Sequence, residues 1–439
     1  MSLDSLGDWR RTHLSSQILP ELDGEKVTVL GYVEETRDLG GVKFVVLRDR
    51  GGTVQVTIHQ DVVTSNLFKK IGDLRSQSVV GIKGVVKRIE KAPRGVEIVP
   101  EEIRVLSQPD RSLPLDPTGK MPAELETRLN ARILDLRRPE NRAIFKIRHV
   151  VVGIIREFLC EKGYIEVNTP KIIASATEGG AALFPIAYYD KEAFLAQSPQ
   201  LYKEQLVIDF EKVFEIGPIF RAEESHTRRH LSESISIDIE EAFVSAVDVM
   251  KTLEELVFKV FERAGKQCEE DLEVLKHRLK LPEMPFGRYT YDQILAELKD
   301  KGIDIPWGED IPTAFLKTLG RLHPGFYFIT DWPSRSKPFY IRPLEENPEI
   351  CDAFDLMYGW LELASGGTRV ESKDLLMRRI KKSGLNPSSF EYHLNAFDYG
   401  MPPHAGWALG LERLMMVITN RKNIREVILF PRDKFRLTP

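Results

Sequence analysis

The chain has 439 residues, of which 42% are hydrophobic and 29% are charged, and its formal net charge is -4. This length exceeds one ordinary core, so we expect two or three domains, and the charge balance excludes a globally basic nucleic-acid binder. The three cysteines lie far apart, which argues against a disulfide framework or a cysteine zinc site and fits a reducing, cytosolic setting. The polar N-terminus predicts no signal peptide, and the apolar window at 150–160 is too short to span a membrane and is interrupted by Arg156.

The first hundred residues carry short segments rich in β-branched side chains, which lie at 27–33, 42–49, 53–58, 79–86 and 96–99. Glycine-containing turns, such as Gly51-Gly52, separate several of them. Five short strands in so little sequence suggest a small barrel such as the OB-fold, a common oligonucleotide binder. Strand count alone, however, favours the simpler alternative of a barrel or sandwich without a ligand.

A proline-rich segment at 108–121 follows and marks a domain boundary. Residues 141–162 then carry apolar side chains at helical spacing, and the predicted helix stops at Gly163. Beyond it, strands and helices alternate without the regular repeat of a parallel barrel, which favours an α+β domain with a mixed sheet flanked by helices. We therefore expect a barrel domain at 1–107, a hinge at 108–140 and a larger domain at 141–439, with a helical insertion at about 245–345.

Four polar constellations in the larger domain could carry chemistry. They are Phe220 to Glu224 with Arg229 and His230; Asp355, Glu362, Ser365 and Arg369; Gly406 to Met416 with Arg413; and Gln200 with Lys203. Arginine binds phosphate or carboxylate as a fork, carboxylates and a hydroxyl are hard ligands suited to Mg²⁺, and an arginine at the start of a helix suits polyphosphate. Each constellation alone is nearly as compatible with surface ion pairs, solvated acids or an ordinary glycine turn.

Taken together and in order, these segments resemble the motifs of the class II aminoacyl-tRNA synthetases. The helix and strand ending at Pro170 resemble the first motif, which builds the dimer interface. The segment Phe220-Arg221-Ala222-Glu223 with Arg229-His230 resembles the second, and Gly410-Leu411-Glu412-Arg413 resembles the third. The barrel and hinge resemble the aspartate, asparagine and lysine subgroup, and the chain is most similar to aspartyl-tRNA synthetases of archaeal and eukaryotic type. The resemblance covers about residues 11–439 and implies an OB-fold anticodon-binding domain followed by a class II catalytic domain.

The resemblance implies a role for each matching residue. The aspartate substrate would contact Glu178, Gln200, Lys203, Arg221, Asp238, Ser365 and Arg369. ATP would contact Arg221, Ala222, Glu223, Arg229, His230, Leu231, Glu362, Gly410, Leu411, Glu412 and Arg413, with Arg221, His230 and Arg413 as the catalytic set. Mg²⁺ would be held by Asp355, Glu362 and Ser365, and the anticodon by Phe44, Gln55, Glu34 and Pro93. Many relatives stack a phenylalanine on adenine where this chain has Ser234, so we expect the stacking face to come from Arg413 and an aliphatic residue.

The implied activity is ATP-dependent aspartylation of tRNA through an aspartyl-adenylate, by a cytoplasmic homodimer without a membrane partner. Lys203 favours aspartate, because asparaginyl relatives have an apolar residue there. Pro93 resembles the enzymes that charge both tRNA(Asp) and tRNA(Asn); the alternative is a discriminating enzyme that charges tRNA(Asp) only. A nucleic-acid-binding protein with an inactive synthetase core is a further alternative, which the intact Arg221, Glu362 and Arg413 disfavour. A tRNA-independent amide ligase is another, which the barrel disfavours.

Overall fold

The structure, a computed structural model, describes residues 3–174, 183–222 and 227–439. The chain divides into two compact units, Met1–Ala123 and Glu124–Pro439. Residues 124–140, which we expected within the hinge, are largely helical and belong to the second unit.

The first unit is a closed barrel, and residues 3–123 contribute five strands to it. They are β1 (Lys26–Asp38), β2 (Val42–Asp49), β3 (Gly52–His59), β4 (Val79–Arg88) and β5 (Val96–Ser107), with helix α1 (Ser65–Gly72) between β3 and β4. The strand order is β1-β2-β3-β5-β4, and β4 pairs back with β1. Alternate residues face inward, so that Val29, Val45 and Val56 are fully buried. Gly84 allows two strands to approach, since a Cβ there would lie 2.3 Å from the Val99 carbonyl oxygen. The expected OB-fold barrel is confirmed.

The second unit is larger and mixes strands with helices. Its helices are α2 (Leu125–Asn130), α3 (Arg132–Asp135), α4 (Pro139–Glu161), α5 (Gln200–Phe210), α6 (Ala246–Gln267), α7 (Glu269–Val274), α8 (Tyr291–Asp300), α9 (Thr313–Leu322), α10 (Lys373–Lys382), α11 (Glu391–Phe397) and α12 (Leu411–Ile418). Its strands are β6 (Ile165–Glu166), β7 (Ile172–Ile173), β8 (Pro185–Tyr188), β9 (Lys191–Leu195), β10 (Lys212–Phe220), β11 (Glu233–Ala242), β12 (Gly287–Thr290), β13 (Phe326–Pro333), β14 (Ile350–Tyr358), β15 (Leu361–Thr368) and β16 (His404–Gly410).

Eight strands from the described residues form the main sheet, in the order β12-β13-β14-β15-β16-β11-β10-β6. The inner strands are antiparallel, and the outermost pair at each edge is parallel. β7, β9 and β8 form a separate small sheet. The expected α+β domain with a mixed sheet flanked by helices is therefore confirmed.

Helix α4 shows how the sequence pattern becomes packing. Pro139 starts the helix, where its missing N–H costs no hydrogen bond. Ile147, Val151 and Ile154 recur at helical spacing and are almost fully inaccessible to solvent. They share one core with α6, α12 and the sheet, and the indole N–H of Trp407 on β16 donates to the Val249 carbonyl of α6 at 3.1 Å.

The segment expected as a helical insertion, 245–345, is instead part of this architecture. Helix α6 packs in the core beside α4, and β12 and β13 extend the main sheet beyond β14. Helices α8 and α9 cover a second core on β13 and β14. Short strands such as β12 pair in parallel at the sheet edge and carry little alternation, so the sequence pattern does not indicate that this segment joins the main sheet.

Candidate active site

The strand order brings the four polar constellations onto neighbouring strands. Arg221 follows the end of β10, Asp238 lies on β11, and Ser365 lies on β15. Both Asp238 and Ser365 are opposite Ala408 on β16, which lies between their strands. Residues that are far apart in the sequence therefore line one face at the centre of the sheet.

A cavity of about 130 Å³ opens at the β10–β11 hairpin. Most of the residues expected to bind the nucleotide line it. It is lined by Arg221, Arg229, His230, Leu231, Glu362, Ser365, Gly410, Glu412 and Arg413, among others. The backbone N–H of Arg221 donates to Ser232 at 2.9 Å, which places its side chain at the hairpin mouth. The ring of His230 is held through Nδ1 by the Thr227 hydroxyl at 2.8 Å. Glu223 and Glu178, which we also expected here, lie outside the described residues.

Arg413 lies at the start of helix α12. Gly410 caps α12, and Arg413 lies in the first turn of that helix, where the helix dipole adds positive potential. Its Nη1 donates to the backbone carbonyl of Glu362 at 2.9 Å and lies 3.4 Å from the Glu362 carboxylate. Ser234 also lines the cavity, and Ile219 lies opposite it on β10. The aliphatic side chain of Ile219 and the guanidinium of Arg413 are therefore available where relatives place an aromatic ring.

The side chain of Glu412, which also lines the cavity, is engaged with neighbouring elements. It is almost fully buried, and one carboxylate oxygen accepts from Arg148 of α4 at 2.8 Å. The other accepts from the backbone N–H of Ile235 at 3.0 Å. The Glu412 side chain thus ties α12 to α4 and β11, and Leu411, which is buried in the core, offers only its backbone to a ligand.

The expected metal ligands lie on the β14–β15 pair. Asp355 and Ser365 are cross-strand partners, and Glu362 follows the intervening turn. One oxygen of Asp355 binds the ammonium of Lys337 at 2.6 Å, whereas Oδ1 is buried and has no hydrogen-bond partner among the described residues. Among those residues, no group of three or more histidine, cysteine, aspartate or glutamate side chains is placed to hold a metal. The expected Mg²⁺ ligands are therefore two carboxylates, from Asp355 and Glu362, and the hydroxyl of Ser365.

The two carboxyl groups of this set have opposite pKa shifts. Burial, together with the charge of Glu362, raises the pKa of Asp355, although Lys337 opposes the shift. Burial opposes ionisation of Glu362 as well, but the cations around it, Arg413 first and then Lys337, lower its pKa below the usual range. A further cation between the two carboxyl groups would favour the ionised form of Asp355.

The expected amino-acid pocket lies deeper, below the cavity, and is built around Glu240. The ammonium of Lys203 lies 3.0 Å from Asp238 and 3.4 Å from Glu240. Arg369 binds both oxygens of Glu240, through Nε at 2.8 Å and Nη2 at 3.2 Å. Gln200 donates to Glu240 at 3.4 Å. All five side chains are buried, and buried charges of this kind persist only when they are paired.

Sequence reasoning placed Lys203 and Arg369 here but missed Glu240, which links them, and Lys337, which binds Asp355. Two sequence patterns indicate part of this buried network. Glu240 lies two residues after Asp238 on β11 and therefore points to the same face. Glu204 follows Gln200 by one helical turn on α5 and shares its face. Glu204 is fully buried, and one of its oxygens accepts from Gln200 at 2.6 Å.

The expected anticodon residues lie in the barrel unit, separate from this site. Phe44 on β2 and Gln55 on β3 are half-buried and share the outer face, since their neighbours Val45 and Val56 point inward. The amide nitrogen of Gln55 donates to Glu97 at 3.1 Å.

The other two expected anticodon residues, Glu34 and Pro93, also lie in the barrel unit. Glu34 lies at a bulge of β1 and pairs with Arg48 at 3.1 Å. Pro93 opens a short turn that precedes β5.

Comparisons with known proteins agree with this arrangement. Residues 124–434 match the family of class II tRNA synthetases (D, K and N), and residues 27–106 match the OB-fold nucleic acid binding domain. The chain is 55% identical to an aspartate–tRNA(Asp/Asn) ligase of Archaeoglobus fulgidus, over 97% of the chain and 99% of that relative. It is 54% identical to the ligase of that name from Methanothermobacter thermautotrophicus, over 99% of the chain and all of that relative.

Solved structures show the same likeness. Asparaginyl-tRNA synthetase from Pyrococcus horikoshii, complexed with asparaginyl-adenylate, superposes with a TM-score of 0.93 at 34% identity, over 98% of the chain and 100% of that structure. A putative aspartyl-tRNA synthetase from Leishmania major superposes with a TM-score of 0.89 at 28% identity, over 100% of the chain and 97% of that structure. Among the described residues, no helix is long and apolar enough to cross a membrane. The chain belongs to the class II tRNA synthetases of the D, K and N group.

Proposed function

We propose that the chain uses ATP to activate aspartate as aspartyl-adenylate and transfers the aspartyl group to tRNA(Asp) and tRNA(Asn). One observation carries the choice of amino acid: two buried cations, Lys203 and Arg369, lie below a nucleotide-type cavity. A pocket with two cations favours a side-chain carboxylate over a neutral amide. The names of relatives more than 50% identical, aspartate–tRNA(Asp/Asn) ligases, support the same assignment.

Arg369 is the better placed of the two cations for direct contact with the aspartate side chain. Its Nε and Nη2 bind Glu240, but Nη1 makes no hydrogen bond with the described residues. The ammonium of Lys203 already contacts Asp238, Glu240 and two backbone carbonyls. Lys203 therefore contributes its charge and fixes the two carboxylates, while Arg369 Nη1 donates to the substrate carboxylate.

The α-ammonium group of aspartate is assigned to Asp238 and Gln200. Asp238 offers a carboxylate, and the amide nitrogen of Gln200 is directed inward to Glu204 and Glu240. The amide oxygen of Gln200 is therefore turned towards donors, which include Arg369 Nη2 at 3.4 Å. Arg221 is assigned to the α-carboxylate and the α-phosphate, and Glu178 to closure over the substrate.

ATP is assigned to the cavity at the β10–β11 hairpin. His230 and Arg413 would hold the β- and γ-phosphates, with Arg229 beside them, and Glu223 would contact adenine. The positive potential of this set supports the assignment, since the charges of Arg413, Arg221 and Arg229 together hold the pKa of Glu362 low. Phosphates are stabilised where fixed cations and a helix N-terminus converge.

Mg²⁺ is assigned to Asp355, Glu362 and Ser365, and the chemistry of these residues fits it. Among the described residues one buried oxygen of Asp355 has no hydrogen-bond partner, and burial together with the charge of Glu362 raises the pKa of its carboxyl group. Hard oxygen ligands on two strands, with room for phosphate oxygens, are typical of magnesium sites. When bound, the ion neutralises phosphate charge and orients the triphosphate.

The reaction needs no protein nucleophile. The α-carboxylate oxygen of aspartate attacks the α-phosphorus in line, and pyrophosphate leaves as aspartyl-adenylate forms. The guanidinium of Arg221 stabilises the negative charge that builds up on the α-phosphoryl group. A hydroxyl of the terminal tRNA ribose then attacks the activated carbonyl, and AMP leaves. The protein contributes positioning and electrostatic stabilisation rather than covalent catalysis.

Recognition of the tRNA is assigned to the outer face of the barrel. Phe44 would stack on an anticodon base, and Gln55, oriented by Glu97, would hydrogen-bond to one. Glu34 and Pro93 stand where enzymes restricted to tRNA(Asp) carry tryptophan and lysine, and Glu34 is already paired with Arg48. This supports charging of both tRNAs.

A homodimer is proposed as the working state. The residues that resemble the dimer-forming motif, in α4 and β6, leave Ile165 45% exposed at the sheet edge. β6 pairs with β10 on one side only among the described residues, so an apolar side chain on this edge strand is a surface that a second copy could cover.

The experiment that tests the function is ATP–pyrophosphate exchange by the purified protein with aspartate or asparagine, each with and without tRNA. We expect exchange with aspartate that does not require tRNA. Exchange with asparagine in preference to aspartate would favour an asparaginyl enzyme, and no exchange with any amino acid would favour an inactive synthetase core.

A further inference from the structure

Behind the amino-acid pocket lies a buried layer that the mechanism above leaves without a role. It consists of Glu204 on α5, His393 on α11 and His404 at the start of β16, and we call it the histidine layer. Each of the three side chains has a relative exposure of 0%. One oxygen of Glu204 accepts from Gln200 at 2.6 Å, and the other lies 3.2 Å from His393 Nε2 and 3.8 Å from His404 Nε2.

One hydrogen bond and one nearby carboxylate bear on the charge of His404. Its Nδ1 lies 2.8 Å from the carbonyl oxygen of Pro402, which can only accept, so Nδ1 carries a proton. Its Nε2 faces the Glu204 carboxylate, where a lone pair would be repelled and a proton attracted. Although Nε2 makes no hydrogen bond with the described residues, the nearby carboxylate favours a proton there as well, which makes the ring an imidazolium. Burial alone would lower the pKa of His404, but Glu204, and then Glu240, raise it above its ordinary value.

His393 contacts the same carboxylate without needing a charge. Its Nδ1 lies 3.5 Å from the amide nitrogen of Gln205, which donates to the Leu201 carbonyl at 2.8 Å. Nδ1 therefore serves as an acceptor, and the single proton of the neutral ring lies on Nε2, facing Glu204 at 3.2 Å. The two histidines thus share a partner but differ in their other contact, which is a backbone carbonyl for His404 and a side-chain amide for His393.

With His404 protonated, the charges that the structure describes in the pocket and the histidine layer balance. Lys203, Arg369 and His404 are positive, and Asp238, Glu204 and Glu240 are negative. Were His404 neutral, this buried set would carry one net negative charge. That charge would repel the side-chain carboxylate of aspartate and leave the neutral amide of asparagine unaffected.

The histidine layer is coupled directly to the groups that would hold the substrate. Glu204 orients the Gln200 amide, whose oxygen lies 3.4 Å from Arg369 Nη2. The backbone N–H of Arg369 donates to the carbonyl oxygen of His404 at 2.9 Å. Gly406 keeps β16 close to this cluster, since a Cβ there would lie 2.3 Å from Glu240 Oε2.

We propose that His404, as an imidazolium, supplies the third positive charge of the buried pocket and thereby raises the preference for aspartate over asparagine. The inference rests on the proposed function, because it concerns selection at the same site. His404 acts through Glu204 and Gln200 and does not touch the substrate, so it is a positioning residue.

The first test compares His404→Asn with His393→Asn. Both substitutions remove a buried imidazole next to Glu204, but only the first removes a charge, and its amide can still donate to the Pro402 carbonyl. The measured quantity is the ratio of the asparagine inhibition constant to the aspartate KM in ATP–pyrophosphate exchange. We expect this ratio to fall about tenfold in H404N, as for a unit charge about 10 Å away at an effective dielectric of about 20. In H393N it should stay within about threefold of wild type, and the KM for ATP should hold in both variants.

A second variant controls for the possibility that H404N misfolds because Glu204 has lost a charged neighbour. The double substitution Glu204→Gln with His404→Asn removes one negative and one positive charge, while Gln at 204 can still accept from Gln200. Charge balance predicts that the double variant folds and regains the wild-type ratio. A ratio as low as that of H404N, or an unchanged ratio in folded H404N, would overturn the proposal.

The pH profile provides a readout that a purely structural role would not change. The titratable and charged groups around His404 are Glu204 on α5 and Glu240 on β11. Arg369, after β15, pairs with Glu240, and His393 and Tyr392 of α11 lie near Glu204. Because the pKa of His404 is raised, the ring stays charged at pH values above the ordinary pKa of histidine. The charge is lost as the pH rises through the raised pKa. The aspartate preference should fall over that range in wild type and stay flat in the double variant. A wild type without aspartate exchange would refute the proposed function itself, whereas normal exchange with a pH-independent preference would refute only this inference.

Discussion

Replacing Lys203 with leucine perturbs the centre of the amino-acid pocket. In the structure its ammonium contacts Asp238 at 3.0 Å and Glu240 at 3.4 Å, and it also donates to the carbonyls of Ile239 and Trp407 at 3.1 and 3.3 Å. Glu240 would keep Arg369 as a partner, but among the described residues Asp238 would have no cation left. The substitution therefore breaks a buried ion pair from one side.

Breaking a buried pair in this way costs about 3–5 kcal/mol, because an uncompensated charge remains. If this free energy is lost from the transition state of aspartate activation, kcat/KM for aspartate falls by a factor of about 10²–10⁴. The ATP cavity lies above the pocket and contains Arg221, His230 and Arg413 but not Lys203. We therefore expect the KM for ATP to change by no more than about threefold.

The assay is aspartate-dependent ATP–pyrophosphate exchange, with aspartate and ATP titrated separately, alongside thermal unfolding. Lys212→Leu is the matched control, since Lys212 of β10 pairs at 2.6 Å with Glu241, which lies on β11 like Asp238 and Glu240, but its side chain is 39% exposed. Because its ammonium reaches solvent and lies outside the expected amino-acid site, the control should keep nearly normal exchange. Near-normal aspartate exchange in folded K203L would refute the assignment of this pocket to aspartate.

Three further predictions follow from other contacts. Lys337→Met leaves Asp355 without its ammonium partner, so Mg²⁺ should raise the Tm of the variant more than that of wild type; equal shifts would argue against a cation site at Asp355. Gly406→Ala should lower the unfolding free energy by about 1–3 kcal/mol, because a Cβ would meet the Ile239 carbonyl at 2.2 Å. Gly153→Ala, on an open face of α4, should instead stabilise by about 0.5–1 kcal/mol in the same denaturant titration. Pro93→Lys should lower charging of tRNA(Asn) relative to tRNA(Asp), and an unchanged ratio in a charging assay would show that this position does not select the tRNA.

Local pattern was sufficient to predict several elements. The stripe of Ile147, Val151 and Ile154 predicts a helix buried on one face, and α4 has it. The apolar run before Arg221 is typical of a strand, and β10 spans Lys212–Phe220. In both cases the signal is the period of the apolar residues, which depends on a few neighbouring residues only.

The partners in the pocket could not be predicted in this way. Lys203 meets Asp238 and Glu240 from another element, and Glu204 meets two histidines about 190 and 200 positions further on. Such pairs depend on the strand order of the sheet, which periodicity does not encode. Strand β12, at the edge of the same sheet, was missed because four residues are too few to show alternation.

Charging of two purified tRNA transcripts with labelled aspartate tests the central claim most directly. Wild-type protein should aspartylate both tRNA(Asp) and tRNA(Asn), with kcat/KM values within about a hundredfold of each other. A larger preference for tRNA(Asp) would contradict the charging of both tRNAs, and failure to charge either would contradict aspartyl transfer itself.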